Sequence, residues 1–247
     1  MQIDYPMKKN GLFILRKQDI DDFAERYLAE YAPEVLRYPQ PFNIRYHAEE
    51  VLGLTILERY MTKQCSVIGA VFFDDTRQRT MTPELVEQID DIYQGTIMID
   101  PRQENSDIQT YRTRFTIGHE VGHWILHRTY HSPGNTKYSL RAPRNYIACR
   151  GIGSFRYPSN GCWSDGMWEE WQADHFSGAV LLPATTFRKA ASDLIPHTFG
   201  SPCLWEGVGS AEPGKVITEL SEIFQVSKSA IRVRLRQMNM LKTFEII

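Results

Sequence analysis

Cysteine is scarce and scattered in this chain: Cys65, Cys149, Cys162 and Cys203 are widely spaced, and no two form a CxxC pair. Such a set does not ask for a disulfide framework, and thiols are expected. Charge of one sign is lacking too. Twenty-eight basic residues face 30 acidic ones, a net charge of −2, so the chain as a whole has no reason to be drawn to nucleic acid or to a membrane surface. Near the N-terminus the only apolar run is Gly11–Leu15, too short for a signal peptide or a spanning helix. These absences lead us to expect a cytoplasmic protein with no membrane association. What remains is an ordinary globular composition, 42% hydrophobic and 23% charged over 247 residues, long enough for one large or two modest domains.

The most informative stretch is His119-Glu120-Val121-Gly122-His123. Two histidines four apart on a helix lie about 40° apart around the axis and roughly 6 Å along it, so both rings can reach one metal ion. Glu120 follows the first, placing a carboxylate beside the ion as general base toward an attacking water. From Phe115 to His127 the only acidic or basic charge besides histidine is Glu120, as a buried catalytic helix requires. Gly118 and Gly122 would each cost about 1 kcal/mol against Ala in an exposed helix; their presence predicts close packing against another backbone.

A catalytic zinc takes three protein ligands and keeps one position open. His127 is eight residues beyond His119, about 12 Å along a continuous helix, too far to share the ion. It is expected at the helix C-terminus, where it would favour the dipole. The better third ligand lies downstream, where Trp168–Pro183 reads as a second amphipathic helix closed near Pro183. Glu170 and Asp174 share a face with the small residues Ala173 and Ser177. Glu170 is expected to bind the metal and Asp174 to accept the second ring N–H of a ligating histidine, fixing its tautomer. Glu169 competes for the ligand role but points roughly 100° away.

RFTIGHEVGHWILH (Arg114–His127) followed by EWQADHFSGAVLLP (Glu170–Pro183) resembles the ImmA/IrrE family of metallo-endopeptidases. There the HExxH helix is followed by a helix of the form E-x-x-A-[ND]-x-F-A-x-x-L-L-x-P. This chain departs from it at Ser177, where Ala is usual, and conservatively at Val180–Leu182, in neither place touching the chemistry. The resemblance is specific over residues 40–185. It implies a zincin of the glutamate-ligand type, acting in the cytoplasm on protein substrates that are often transcriptional repressors.

Elsewhere the pattern is α+β. Asp19 is placed to cap a helix through Tyr31, and a short helix is expected near Arg45–Leu52. Strands are expected at Leu54–Tyr60, Ser66–Phe73 and Gly95–Asp100. The last of these either forms the sheet edge flanking the cleft, where a peptide could add a strand, or lies inside the sheet. Residues 1–190 are expected to form the zincin-like peptidase domain: a small sheet, the HExxH helix and the glutamate helix. Between His123 and Glu170 lie 46 residues, and the 128–168 stretch, with its turn residues and aromatics, is expected to fold as a flap. Its Arg141, Arg144, Arg150 and Arg156 would contact substrate or simply solvate the loop. Tyr130, Tyr146, Arg150 and His175 are candidates for stabilising the oxyanion.

Residues 191–214 read as a linker or irregular cover. Residues 215–247 resemble a helix-turn-helix, with Ser227 as N-cap and Leu220, Phe224, Ile231 and Leu235 as the apolar seam. Six basic residues from Pro213 onward face three acidic ones, mildly favourable for DNA. Yet Arg232, Arg234 and Arg236 step by two and make no single recognition face, so packing or docking a protein partner is the favoured reading.

Two further functional readings stay open: a non-proteolytic zinc-containing regulator that binds a repressor or DNA, and a zinc hydrolase of small amides. Cys149 adds one possibility. If the flap folds inward, its sulfur takes the water position on zinc and acts as a latch; otherwise it is a small buried thiol.

Overall fold

The computed structural model describes residues 4–103, 107–131, 145–150, 163–195, 203–206 and 212–243. They gather into two compact units. One holds Met1–Ile20 with Asn43–Ser177, the other Asp21–Phe42 with Gly178–Ile247. Helix and sheet are mixed, as expected for an α+β chain.

Helix α1 (Lys17–Tyr31) opens the chain. Asp19 lies inside its first turn instead of capping it, and reaches back to accept the Arg16 backbone N–H at 2.7 Å. That is one half of a capping box. In the first unit, α2 (Ile44–Tyr46) runs into a π-helical turn at His47–Val51. Strands β1 (Thr55–Glu58), β2 (Val67–Phe72), β3 (Thr76–Met81), β4 (Glu87–Ile92) and β5 (Thr96–Ile99) follow.

Helix α3 (Asp107–His131) carries the HExxH sequence, β6 (Tyr146–Arg150) comes from the flap region, and α4 (Asp165–Leu181) carries Glu170. The main sheet has the order β1-β5-β2-β6. Strand β1 pairs parallel with β5, and the other pairings are antiparallel. The edge reading of Gly95–Asp100 is therefore corrected: β5 lies between β1 and β2, and all four of its residues are buried. An apolar strand covered on both faces belongs inside a sheet. Among the described residues the edges are β1 and β6.

Strands β3 and β4 form a separate hairpin that local pattern does not announce, because it is built from charged and amide residues. Its strands pair in register, Arg77 facing Asp91 with Nε to Oδ1 at 3.1 Å, and Ile92 packs into a core with Ala70, Phe72 and Met98.

Helices α3 and α4 meet through small residues. A Cβ added to Gly122 would lie 3.2 Å from the Ala173 Cα, and one added to Gly118 would lie 2.6 Å from the Ser177 Oγ. The close packing expected from the two glycines is thus against the Ala173/Ser177 stripe of α4. It brings the Glu170 and Asp174 face onto His119.

In the second unit, α5 (Ala184–Leu194), α6 (Glu212–Phe224) and α7 (Lys228–Gln237) are accompanied by a parallel pair, β7 (Leu204–Glu206) and β8 (Leu241–Thr243). The Ser227 side chain caps α7, accepting from the Ala230 N–H at 3.2 Å. Leu220, Phe224, Ile231 and Leu235 are all buried. Among the described residues no helix is long and apolar enough to cross a membrane.

Candidate metal centre

Helix α3 places His119 and His123 one turn apart on its buried face, and α4 brings Glu170 opposite them. The ligand atoms of the three all lie within 4.8 Å of one another. His119 Nε2 stands 3.0 Å from His123 Nε2 and 3.3 Å from Glu170 Oε2, with His123 Nε2 to Glu170 Oε1 at 3.7 Å. Ligands about 2.0–2.2 Å from a tetrahedral ion stand about 3.3–3.6 Å from one another, so nitrogen, nitrogen and oxygen here sit close to the spacing that one ion needs. Glu120, fully buried, has both carboxylate oxygens without a hydrogen-bond partner. A buried bare carboxylate is costly unless a cation lies near it, and the donor set fits a divalent metal.

Hydrogen bonds around the two imidazoles decide which nitrogen of each is bare. Asp174 Oδ1 lies 2.8 Å from His119 Nδ1; a carboxylate accepts, so Nδ1 carries the proton and Nε2 offers its lone pair. For His123 the order is set from farther away. Gln172 Nε2 donates to the Phe13 carbonyl at 2.8 Å, which turns its Oε1 toward His127 Nε2 at 2.9 Å. An oxygen acceptor there puts the His127 proton on Nε2. Neutral His127 then accepts at Nδ1 from His123 Nδ1, 2.9 Å away. His123 Nε2 is left bare, facing the site.

His127 thus holds the His123 ring in one tautomer, and its expected place at a helix C-terminus is corrected: α3 continues to His131. The relay escapes sequence reading because its outer members, Gln172 and the Phe13 carbonyl, are remote in sequence.

Burial is complete or nearly so for these groups, and it moves their acidities. Burial pushes the Glu120 carboxyl up to about 8; His119 opposes the rise while Glu170 and Asp174 add to it. For His119 burial disfavours the cation, but Cys149, Asp174 and Glu170 outweigh it and raise the metal-free ring well above the usual histidine range; an ion on Nε2 would take the place of that second proton. Burial and three neighbouring histidines hold His123 well below that range, and burial takes His127 down to about 4.

Comparison with known proteins bears on this geometry. The model of a peptidase family described as the IrrE N-terminal-like domain matches residues 103–236, more than half of the chain and the stretch that carries α3, β6 and α4. The chain belongs to this family. No curated protein matches it. A solved structure of a Mycobacterium tuberculosis transcriptional regulator is similar at 15% identity and a TM-score of 0.43, covering 92% of this chain and 48% of that one. The chain spans about half the length of that structure.

The remaining candidates fall as follows. Glu169, the competitor for the ligand role, is buried against His131 at 3.0 Å, and that ring stacks on Phe73. Cys149, on β6, comes into the site: its sulfur, a His119 nitrogen and a Glu120 oxygen lie within 4.8 Å of one another. Directly across the ladder from Cys149 is Gly69. Tyr130 packs on His131, His175 Nδ1 lies 2.8 Å from the Trp171 carbonyl oxygen, and Tyr146 stacks on Phe72. Arg141, Arg144, Arg156 and Cys162 lie outside the described residues, as does the side chain of Arg150.

Proposed function

We propose that the chain is a zinc-dependent endopeptidase of the zincin type that hydrolyses peptide bonds of a protein substrate in the cytoplasm. His119, His123 and Glu170 would hold the ion. When bound, zinc polarises the scissile carbonyl and makes water a better nucleophile at neutral pH. Glu120 takes the proton of the attacking water and passes it to the leaving amine. Asp174 and the His127–Gln172 pair keep each ligating ring in one tautomer and one orientation.

The observation that carries this reading is the Glu120 carboxylate, fully buried and without a hydrogen-bond partner beside the His119/His123/Glu170 cluster. A purely structural metal site has no use for such a group.

A transcriptional repressor is the favoured substrate, by the family resemblance of the two motif helices. We read residues 215–247 as a helix-turn-helix-like module that packs or docks protein. Arg232 and Arg236 both pair with Glu206, at 3.0 and 2.5 Å, and Arg234 is buried against Asp21 and the Leu182 carbonyl. Guanidinium groups committed in this way are poor material for a DNA face.

The test is to incubate zinc-loaded protein with candidate repressors and follow intact masses, comparing wild type with Glu120→Gln. Cleavage by wild type alone supports the proposal. A non-proteolytic regulator would work equally well with Gln at this position.

A further inference from the structure

Residues 6–14 fold into a small hairpin that lies on α4. Met7 bridges Phe13 antiparallel, the Lys8 N–H donates to the Leu12 carbonyl at 2.7 Å, and the Ile14 N–H donates to the Pro6 carbonyl at 2.7 Å. Asp165, the first residue of α4, holds this hairpin twice. Its Oδ1 stands 2.8 Å from Lys8 Nζ, and its Oδ2 accepts from Asn10 Nδ2 at 2.6 Å. The Lys8 ammonium also lies 5.7 Å from the centre of a Trp168 ring, and Leu12 is fully buried. Gln172 is seven residues past Asp165, so it falls on the same face of α4 two turns on. There its Nε2 donates to the Phe13 carbonyl at 2.8 Å.

From that carbonyl, Gln172, His127 and His123 run inward as one line of hydrogen bonds. The line is self-consistent in either of two orders. In the first, the Gln172 oxygen takes the His127 Nε2 proton, His127 Nδ1 takes the His123 Nδ1 proton, and His123 Nε2 is bare. In the second, the Gln172 amide is turned over and donates to His127 Nε2, and His127 donates from Nδ1 to His123 Nδ1. The His123 proton then stands on Nε2, where it blocks an ion. Each ring keeps one proton in both orders, so the line changes direction without changing charge. The Phe13 carbonyl accepts and cannot donate, and it breaks the tie. In the second order it would face the Gln172 oxygen with no proton between them. Gln172, His127 and His123 are all fully buried, so bulk water does not replace the lost partner.

We propose that the 6–14 hairpin is a positioning element of the metal centre: its Phe13 carbonyl selects, through Gln172 and His127, the His123 tautomer that can bind an ion, and Asp165 holds it there. The inference rests on the metallopeptidase reading above and adds a control point remote from the ligands. Releasing the hairpin from Asp165 lets the line populate its second order, and His123 is withdrawn as a ligand without moving.

The experiment is proton–nitrogen correlation NMR on the full chain with nitrogen-labelled histidine rings, free of metal, with zinc affinity read alongside by chelator competition. Wild type is expected to carry the His123 proton on Nδ1 and the His127 proton on Nε2. Asp165→Lys, which faces Lys8 with a like charge, should shift His123 toward the Nε2-protonated form and weaken zinc about tenfold. Lys8→Ala/Asn10→Ala releases the same two anchors from the hairpin side and should act alike, which separates the effect from a folding defect at position 165. Gln172→Glu supplies a carboxylate that takes the His127 proton without help from Phe13. In that background, releasing the hairpin should cost less than about twofold. An equal loss in both backgrounds, or a His123 tautomer indifferent to the hairpin, would overturn the proposal and leave the metallopeptidase intact. A wild type that binds no zinc would overturn the metal reading itself, and the hairpin's role with it.

Discussion

Gly69 of β2 and Glu120 of α3 occupy each other's space: a Cβ built at Gly69 would lie 2.7 Å from Glu120 Oε1 and 2.5 Å from Thr116 Cγ2. The absence of a side chain on the strand is what allows a carboxylate to be buried beside the cluster. Gly69→Ala is therefore expected to push Glu120 out of place at a cost of about 1–3 kcal/mol in stability. Cleavage should fall sharply while metal affinity stays within a few-fold of wild type. A metal titration alongside a cleavage assay reads both. Undiminished cleavage would show that Glu120 does not need its present position.

The histidine relay makes a second prediction. His127→Phe keeps a ring but removes the acceptor that holds the His123 Nδ1 proton, 2.9 Å away. Zinc affinity should drop roughly 10–100-fold, and Asp174→Ala should do the same through His119. Glu170→Ala should be worse than either, and Glu169→Ala should leave the metal alone because its partner is His131. Competition with a chelator of known strength ranks the four. Loss at Glu169 without loss at Glu170 would mean that the ligand is the neighbouring residue.

The HExxH spacing, the two helix glycines and the Ala173/Ser177 stripe were legible in the sequence because each acts within a helical turn or between two small-residue faces. His127 does not end its helix: α3 runs on to His131, whose ring is buried against Glu169 and Phe73, contacts that helical periodicity does not carry. Strands β3, β4 and β6 were missed for a related reason. The charged hairpin is held by its cross-strand ladder and by Ile92, which packs with Ala70, Phe72 and Met98, and Tyr146–Arg150 is a strand through its pairing with β2.

A pH effect should come from His47, in the π-helical turn. Burial lowers its pKa from 6.5 to about 4. The folded state holds the ring neutral while the unfolded chain protonates it, so its stabilising contribution is complete above about 6.5 and is lost as pH falls toward 4. Wild type should lose up to about 3 kcal/mol relative to His47→Gln across that window. Urea denaturation at pH 7 and pH 4.5 measures it, and a pH-independent difference between the two proteins would rule out this titration.

In the second unit, Arg234 is 4% exposed and bridges Asp21 at 2.7 Å and the Leu182 carbonyl at 3.0 Å. Arg234→Ala leaves both acceptors without it and should cost about 3 kcal/mol. Arg236→Ala, at an exposed pair with Glu206, should cost under about 1 kcal/mol. Thermal unfolding separates these outcomes; equal shifts would mean that the buried bridge is not a structural anchor.

The most direct measurement on the central claim is metal add-back. Metal-stripped wild type is mixed with a substrate that the loaded protein cleaves, and zinc is returned stepwise. The account predicts no cleavage at the start, a linear rise, and saturation at one ion per chain. His123→Ala should show no such rise, and Glu120→Gln should take up the ion without producing fragments. Cleavage by the stripped protein at the loaded rate would contradict it.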